Sequence, residues 1–190
     1  PGDTVLVTSA AGPVGATAGQ LARHFGASKV VGLAGSAEKR GWLVNDCGFD
    51  AALDYRDPAL DLALRAALPD GIDILFDNVG NAMIDRMLPQ MKMRGRIAIS
   101  GQVADYNTPP DQVPGIRQTR EFIARRLRME GMVVFDDLPM FAGAQSEVAG
   151  LLKDGSLQTR EVIGEGIESL PGLFAGLFSS DGFGRRLARI

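Results

Sequence analysis

The stretch TVLVTSAAGPVGATAGQLARHFG, residues 4–26, decides how this chain folds. Its first residues, Thr4 to Thr8, are apolar or β-branched and predict a buried strand. The small residues that follow, with glycines at positions 12 and 15, predict a tight turn that opens a helix. Gly26 stands where helices commonly end, so we expect this helix to run from about Val14 to Phe25.

The turn after this strand matches most of a phosphate-binding pattern. Gly12 and Gly15 lie three residues apart, and Ala10 occupies the position of the first glycine in G-x-G-x-x-G. That fingerprint requires a tight turn, a backbone that can approach a pyrophosphate, and close contact between helix and strand. The helix adds unpaired N–H groups and the positive end of its dipole. The turn therefore predicts a dinucleotide site, with a plain structural turn as the alternative.

The rest of the chain alternates between strand and helix patterns. This order predicts an α/β fold of the Rossmann type, a doubly wound parallel sheet with helices on both faces. Asp57 and Pro58 are expected to cap and open the third helix. Gly101 is followed by a proline-rich loop at 102–115. Further strands are predicted at 29–35, 51–55, 72–77, 96–100, 129–136, 161–166 and 185–190, and further helices at 36–47, 56–67, 82–91, 116–126, 139–153 and 168–178.

Composition limits the classes of function. The chain has 190 residues, 45% hydrophobic and 23% charged, which is typical of a globular protein of one domain. Its net charge of −3 gives no basic surface for nucleic acid, and no apolar run or signal-peptide pattern indicates a membrane. Cys47 is the one cysteine, so we expect a cytoplasmic protein. With His24 as the one histidine, no structural zinc site and no histidine-dependent catalysis are expected.

The end of the second predicted strand favours NADP(H) over NAD. An NAD site places an acidic residue there to bind the adenine ribose, but this chain has Leu33-Ala-Gly-Ser36. Lys39 lies one turn into the next helix and can meet a 2′-phosphate as a point charge, although a solvated helix face is the alternative. Asn78 and Gly101 end the fourth and fifth strands, where ligands bind in such sheets, or they simply form turns.

Seven segments, in order along the chain, resemble one known family. They are AAGPVGATAGQLA, GLAGSAEK, LDYR, FDNVGN, GRIAISG, DYN and RMEGMVV. The chain resembles the zinc-independent medium-chain dehydrogenases/reductases of the prostaglandin reductase, curcumin reductase and alkenal double-bond reductase type. The resemblance covers essentially all 190 residues. It implies NADPH-dependent reduction of the C=C bond of α,β-unsaturated ketones and aldehydes.

The resemblance also implies roles for particular residues. The pyrophosphate turn falls on Gly12, Pro13, Val14 and Gly15, and the 2′-phosphate contacts fall on Lys39 and Tyr55. The ribose or nicotinamide contact falls on Asn78, and the loop over the nicotinamide includes Ser100, Gly101, Gln102, Val103 and Tyr106. The backbone beside the carboxamide falls on Met132, Val133 and Val134. Tyr106 is implied to be catalytic, orienting or protonating the substrate. The chain departs from the family at Gly182, where a cofactor-binding asparagine is usual, so that contact is not carried over.

Family members carry a substrate domain ahead of the cofactor domain. We therefore expect residues 1–190 to be an NADP-binding portion whose segment 157–190 packs partly on a catalytic domain outside this chain. The resemblance also implies a homodimer that forms through the edge strand at 130–136. The alternatives are a quinone reductase or other zinc-independent oxidoreductase of this class, and a non-catalytic NADP-binding module. A methyltransferase is disfavoured because the acid after the second strand is missing.

Overall fold

A computed structural model of the chain describes residues 1–178 and 183–190. Within them, parallel strands form a central sheet in the order β3-β2-β1-β4-β5-β6. The strands are β1 (Thr4–Val7), β2 (Lys29–Leu33), β3 (Ala51–Leu53), β4 (Ile72–Asp77), β5 (Met91–Ile99) and β6 (Arg128–Gly131). Because β1 lies beside β4, the direction of winding reverses at the centre of the sheet. The predicted doubly wound α/β fold is confirmed.

Helices connect these strands and continue beyond them. They are α1 (Pro13–His24), α2 (Ala37–Asn45), α3 (Leu60–Ala67), α4 (Asn81–Met87), α5 (Arg120–Arg125), α6 (Phe141–Lys153) and α7 (Leu170–Ala175). Two further strands, β7 (Glu161–Glu165) and β8 (Arg185–Arg189), pair in parallel as a separate small sheet. The turn at Gly182, where the family pattern is broken, lies outside the described residues.

The core forms on both faces of the central sheet because side chains of a strand alternate in direction. Leu6 of β1 packs in one buried cluster with Leu64 of α3 and Ile84 of α4. Its neighbours Val5 and Val7 pack in a second buried cluster, which includes residues of α2 and the loop after it. A strand covered on both faces reads as a continuous apolar run, which is the pattern that identified β1 in the sequence.

Several element boundaries differ from the predicted ones. Helix α3 begins at Leu60, since Asp57 accepts a hydrogen bond from the Ala59 amide at 2.8 Å and forms a turn that includes Pro58. Helix α5 begins at Arg120, four residues late, because the amides of Arg117 and Gln118 donate to Asp85 at 2.8 Å each.

The predicted edge strand at 130–136 is also wrong in its extent. Strand β6 ends at Gly131, and Val134–Met140 forms a 3₁₀ segment instead. The amide of Asp136 donates to the carbonyl of Val133 at 3.1 Å, a local bond that an extended strand cannot make. The helix predicted at 82–91 ends at Met87, where a 3₁₀ turn with proline leads into β5.

Candidate functional site

A cleft of about 650 Å³ opens at the carboxyl ends of β1, β2 and β4. This edge of the sheet, beside the reversal of winding, is where ligands bind in open α/β sheets. The volume lies within the usual range for small-molecule and cofactor sites. The cleft has three parts: the turn between β1 and α1, the region after β2 and β3, and the region after β4 and β5.

The turn between β1 and α1 forms the floor of the cleft. The Ala10 amide donates to the Leu33 carbonyl at 3.0 Å, which ties the turn to β2. Gly12 and Pro13 line the cleft. A Cβ atom at Gly15 would lie 2.5 Å from the carbonyl oxygen of Ser9, so α1 approaches the turn as closely as a glycine allows. Amides in the first turn of a helix have no intrahelical partner, so this end of α1 can bind an anion.

The region after β2 and β3 brings together Gly35, Ser36, Lys39, Tyr55 and Arg56 along one wall. Ser36 caps α2 as predicted, since its hydroxyl accepts from the Lys39 amide at 3.2 Å. Arg56 donates from Nη2 to the carbonyl oxygen of Gly35. The predicted pair Lys39 and Tyr55 therefore lies at one end of the cleft, with Arg56 beside it.

The carboxylates near this end are held by arginines. Asp54 accepts from the Arg56 amide at 2.9 Å, and this bond is the main cause that lowers the pKa of Asp54. Arg40 donates to the same carboxylate at 2.9 Å. Glu38, which precedes Lys39, pairs with Arg160 at 2.9 Å. Asp54 and Glu38 are therefore both held by arginines at this end of the cleft.

A polar network joins the ends of β1 and β4. The buried carboxylate of Asp77 accepts from the Thr8 hydroxyl at 2.7 Å and from the Gly80 amide at 2.8 Å. Burial raises the pKa of Asp77 against the opposing effect of these hydrogen bonds, and Asp105 raises it further. Asn78 donates from its side chain to the Thr8 carbonyl at 3.1 Å and is absent from the described lining of the cleft. In this geometry Asn78 joins two strand ends.

The loop after β5 packs on the turn after β4. The amide of Val103 donates to Asn78 at 3.1 Å, and that of Ala104 donates to Val79 at 3.0 Å. Val103, Ala104 and Asn107 line the cleft, whereas Ser100, Gly101 and Gln102 are absent from its described lining. The Tyr106 side chain is 63% exposed, and its hydroxyl accepts from the Gln102 amide at 3.4 Å. Tyr106 therefore lies on the loop at the cleft, with its hydroxyl bonded within the loop.

The remaining predicted residues lie outside the described lining of the cleft. Val14 is exposed at the start of α1, and Gly15 is buried behind the turn. Met132, Val133 and Val134 follow β6 and are 52%, 59% and 62% exposed. The amide of Met132 continues the sheet by donating to Ile99 at 3.0 Å. Their predicted role beside the carboxamide stays a prediction.

Two arginines of the cleft carried no prediction. Arg56 follows Tyr55 directly, so the LDYR motif held a signal for it. Arg186 of β8 also lines the cleft, and its Nε is buried without a hydrogen-bond partner among the described residues. Nothing in the sequence pointed to Arg186, because only the fold brings β8 beside the turn before α1.

No group of three or more His, Cys, Asp or Glu side chains in residues 1–178 and 183–190 is arranged to hold a metal ion. These residues therefore do not fit a zinc centre. Burial raises the pKa of the Cys47 thiol to about 12. His24 is exposed and pairs with Glu147 at 3.2 Å, away from the cleft. Among the described helices, none is both long and apolar enough to cross a membrane.

Comparison with known proteins identifies relatives of this chain. A family model described as zinc-binding dehydrogenase matches residues 13–150. The NADP(+)-dependent 2-alkenal reductase of Nicotiana tabacum is 40% identical over 190 residues, which cover 100% of this chain and 54% of the relative. The (+)-pulegone reductase of Mentha piperita is 38% identical over 190 residues, which cover 100% of this chain and 55% of that protein.

A solved structure agrees with these relatives. CurA of Vibrio vulnificus in complex with NADPH has a TM-score of 0.88 and 29% identity, covering 99% of this chain and 57% of CurA. The chain therefore spans about half the length of the curated relatives it matches. The resemblance to the alkenal reductase type, over the cofactor-binding portion, is confirmed.

Proposed function

This chain belongs to the zinc-binding dehydrogenase family, and we propose that it is the NADPH-binding portion of a reductase that acts on the C=C bond of α,β-unsaturated ketones and aldehydes. The observation that carries the proposal is the cleft itself. It combines a glycine turn at a helix N-terminus with a cationic wall at Lys39 and Arg56. The name of the tobacco relative, an NADP(+)-dependent 2-alkenal reductase, supports the choice of cofactor and substrate class.

The residues of the cleft fit NADPH. The amides of Val14 and Gly15, in the first turn of α1, would hold the pyrophosphate. A Cβ at Gly12 would lie 3.3 Å from the Ser9 carbonyl oxygen, so a larger residue would crowd the turn that must approach the phosphates. Lys39 and Tyr55 would hold the 2′-phosphate, and the nearby carboxylates of Asp54 and Glu38 are paired with arginines.

The nicotinamide side of the cleft would be formed by the segments after β4 and β5. Their backbones are bonded to each other through Val103 and Ala104, which fixes that wall before a ligand binds. NADPH supplies the hydride for the reduction when it is bound. The Tyr106 hydroxyl would leave its hydrogen bond to Gln102 and donate a hydrogen bond to the carbonyl oxygen of the substrate, where negative charge develops. The proton that the α-carbon needs would come from Tyr106 or from water.

The substrate site would be completed by a domain outside residues 1–190. The chain spans about half of its relatives, and one face of the small β7–β8 sheet carries the exposed apolar side chains of the cross-strand pair Ile163 and Leu187. An exposed apolar face on a paired sheet is suited to packing against another domain. We assign this role to the segment 157–190.

A homodimer would form along the free edge of β6. The segment at 130–136 is rich in exposed apolar residues, among them Met132, Val133, Val134 and Phe135. These residues follow β6, which ends at Gly131, so the free edge of β6 would pair with another copy while the apolar segment after it covers the contact. Sedimentation equilibrium should give twice the chain mass, and a monomer at all concentrations would contradict this assignment.

We also propose a cytoplasmic location, because the one cysteine is buried as a free thiol. We propose no nucleic-acid or membrane partner, because the net charge is −3.

One observation favours a second candidate, a non-catalytic NADP-binding module. The Tyr106 hydroxyl is bonded to the Gln102 amide, so the side chain does not reach into the cleft. A Tyr106→Phe variant in a two-domain protein that contains this chain separates the two candidates. If the protein is a reductase, Tyr106→Phe should slow turnover and leave the NADPH affinity unchanged. If it is a non-catalytic module, the variant should change neither turnover nor NADPH affinity.

The test of the proposed function on the chain itself uses NADPH and a simple alkenal. We expect binding of NADPH, measured by nicotinamide fluorescence, with little consumption of the reduced cofactor. Absence of binding would overturn the cofactor assignment. Brisk turnover would contradict the proposal that a further domain completes the substrate site. A quinone offered in place of the alkenal tests whether the reductase belongs to the quinone reductase type.

A further inference from the structure

Arg56 stands at the cationic end of the cleft, and no predicted role accounts for it. It lies in the connection between β3 and α3 and lines the cleft. Its Nη2 donates to the carbonyl oxygen of Gly35, and its Cζ lies 5.6 Å from the centroid of the Tyr55 ring. The side chain is still 57% exposed. The guanidinium is therefore held from two sides and remains open to the cleft.

The charge around Arg56 is not balanced. Asp54 accepts from Nε of Arg56 at 3.4 Å, but it is shared with Nη1 of Arg40 at 2.9 Å. Lys39 lines the same end of the cleft. Two guanidinium groups, those of Arg40 and Arg56, therefore share the one carboxylate of Asp54. Such a site favours a ligand group with more than one negative charge.

The donors of Arg56 suit an anion that offers two or more oxygen atoms. A guanidinium has five N–H groups in a fixed fork. In Arg56 the bonds to Gly35 and Asp54 use Nη2 and Nε, and no hydrogen bond of Nη1 to another described residue accompanies them. Arginine is the side chain best suited to bind two oxygens of one phosphate.

We propose that Arg56 is a specificity-determining residue that binds the 2′-phosphate of NADPH, beside Lys39 and Tyr55. Asp54 acts as a positioning residue, because its hydrogen bonds to the amide and Nε of Arg56 hold the guanidinium at the cleft wall. The contact to Gly35 places the same guanidinium over the turn after β2, where an NAD enzyme would carry its ribose-binding acid. This inference rests on the proposed NADPH site and adds a third residue to those that distinguish NADPH from NADH.

The experiment titrates the full chain with NADPH and NADH by nicotinamide fluorescence, and with 2′,5′-ADP and 5′-AMP by calorimetry. The variants are Arg56→Ala and Arg56→Lys, with Arg65→Ala as the matched control. Arg65 lies on α3, where its Nε bonds to the Asp61 carbonyl, and it is not part of the cleft wall. Circular dichroism checks that each variant folds, and Arg56→Gln replaces the alanine variant if that one does not.

Arg56→Ala should weaken NADPH and 2′,5′-ADP about tenfold to a hundredfold, the loss expected for a charge-assisted hydrogen bond. NADH and 5′-AMP should change by less than about twofold, and Arg56→Lys should fall between, because lysine keeps the charge without the fork. Equal losses for NADPH and NADH would reduce Arg56 to a structural support of Gly35 and overturn the inference, as would an unchanged NADPH affinity. If the unaltered chain itself shows no preference for NADPH, the proposed cofactor fails, and the inference fails with it.

Discussion

Replacing Gly15 by alanine tests the close contact on which the cofactor turn depends. The added Cβ would lie 2.5 Å from the Ser9 carbonyl oxygen and 2.8 Å from Cα of Ala10. Both neighbours are backbone atoms, so no side-chain rotation relieves the contact. Helix α1 would have to retreat by about 1 Å from a close-packed turn to restore ordinary distances.

The stability change combines two opposing effects. Alanine favours a helix over glycine by up to about 1 kcal/mol. Overpacking of this kind costs about 1–3 kcal/mol, and here the clash is with two backbone atoms. We therefore expect Gly15→Ala to lower the free energy of unfolding by about 1–2 kcal/mol. NADPH binding should weaken as well, since the amides of α1 move away from the turn.

Gly143→Ala is the matched control. Gly143 is the third residue of α6, as Gly15 is of α1, but a Cβ there meets nothing within 4 Å. It should leave stability unchanged or raise it by up to about 1 kcal/mol. Urea unfolding, followed by the fluorescence of Trp42 and by circular dichroism, measures both variants. A Gly15→Ala protein as stable as the unaltered chain, with full NADPH affinity, would refute the reasoning.

Other predictions concern buried or strained positions. Folding raises the pKa of Asp77 above 3.8, so its contribution to stability is complete below the unfolded pKa and is lost as pH rises through the folded pKa. Urea unfolding of the unaltered chain and of Asp77→Asn across this pH range should show that the difference between their free energies of unfolding shrinks as pH rises. A difference that stays constant with pH would contradict this prediction. Burial raises the pKa of Cys47 to about 12, so mass spectrometry should find alkylation by iodoacetamide slow in the native chain and fast in urea; equal rates would disprove this. Gly80→Ala should lower the free energy of unfolding by about 1–3 kcal/mol, because φ is +127° and the added Cβ would lie 2.3 Å from Oδ2 of Asp105. Gly48→Ala, with φ of +68° and no atom within 4 Å of the added Cβ, should lower it by less when both variants are unfolded in urea.

The sequence predicted those parts of the fold that depend on local pattern. The β1–turn–α1 unit was foreseen because a buried strand, small residues and a terminal glycine are each local signals. The start of α5 was not, because Arg117 and Gln118 bind Asp85 of α4, thirty-two and thirty-three residues earlier in the chain. The edge strand was overextended because an apolar run does not distinguish extended backbone from the 3₁₀ segment at Val134–Met140.

The candidate site was predictable by position more than by side-chain direction. Lys39 and Tyr55, to which the resemblance assigns the 2′-phosphate, both line the cleft. The directions of Asn78 and Tyr106 could not be read from the sequence, since their bonds to Thr8 and Gln102 are set by the packing of neighbouring segments. Arg186 escaped notice because only the fold brings the C-terminal strand to the cleft.

The most direct test of the account is a calorimetric titration of this chain with NADPH and with NADH under the same conditions. The cleft predicts that both bind through the turn at Gly12 and that Lys39, Tyr55 and Arg56 add a contact that NADH cannot use. NADPH should therefore bind at least about tenfold more tightly, a difference of ~1.4 kcal/mol. Equal affinities, a preference for NADH, or no binding of either nucleotide would contradict the account.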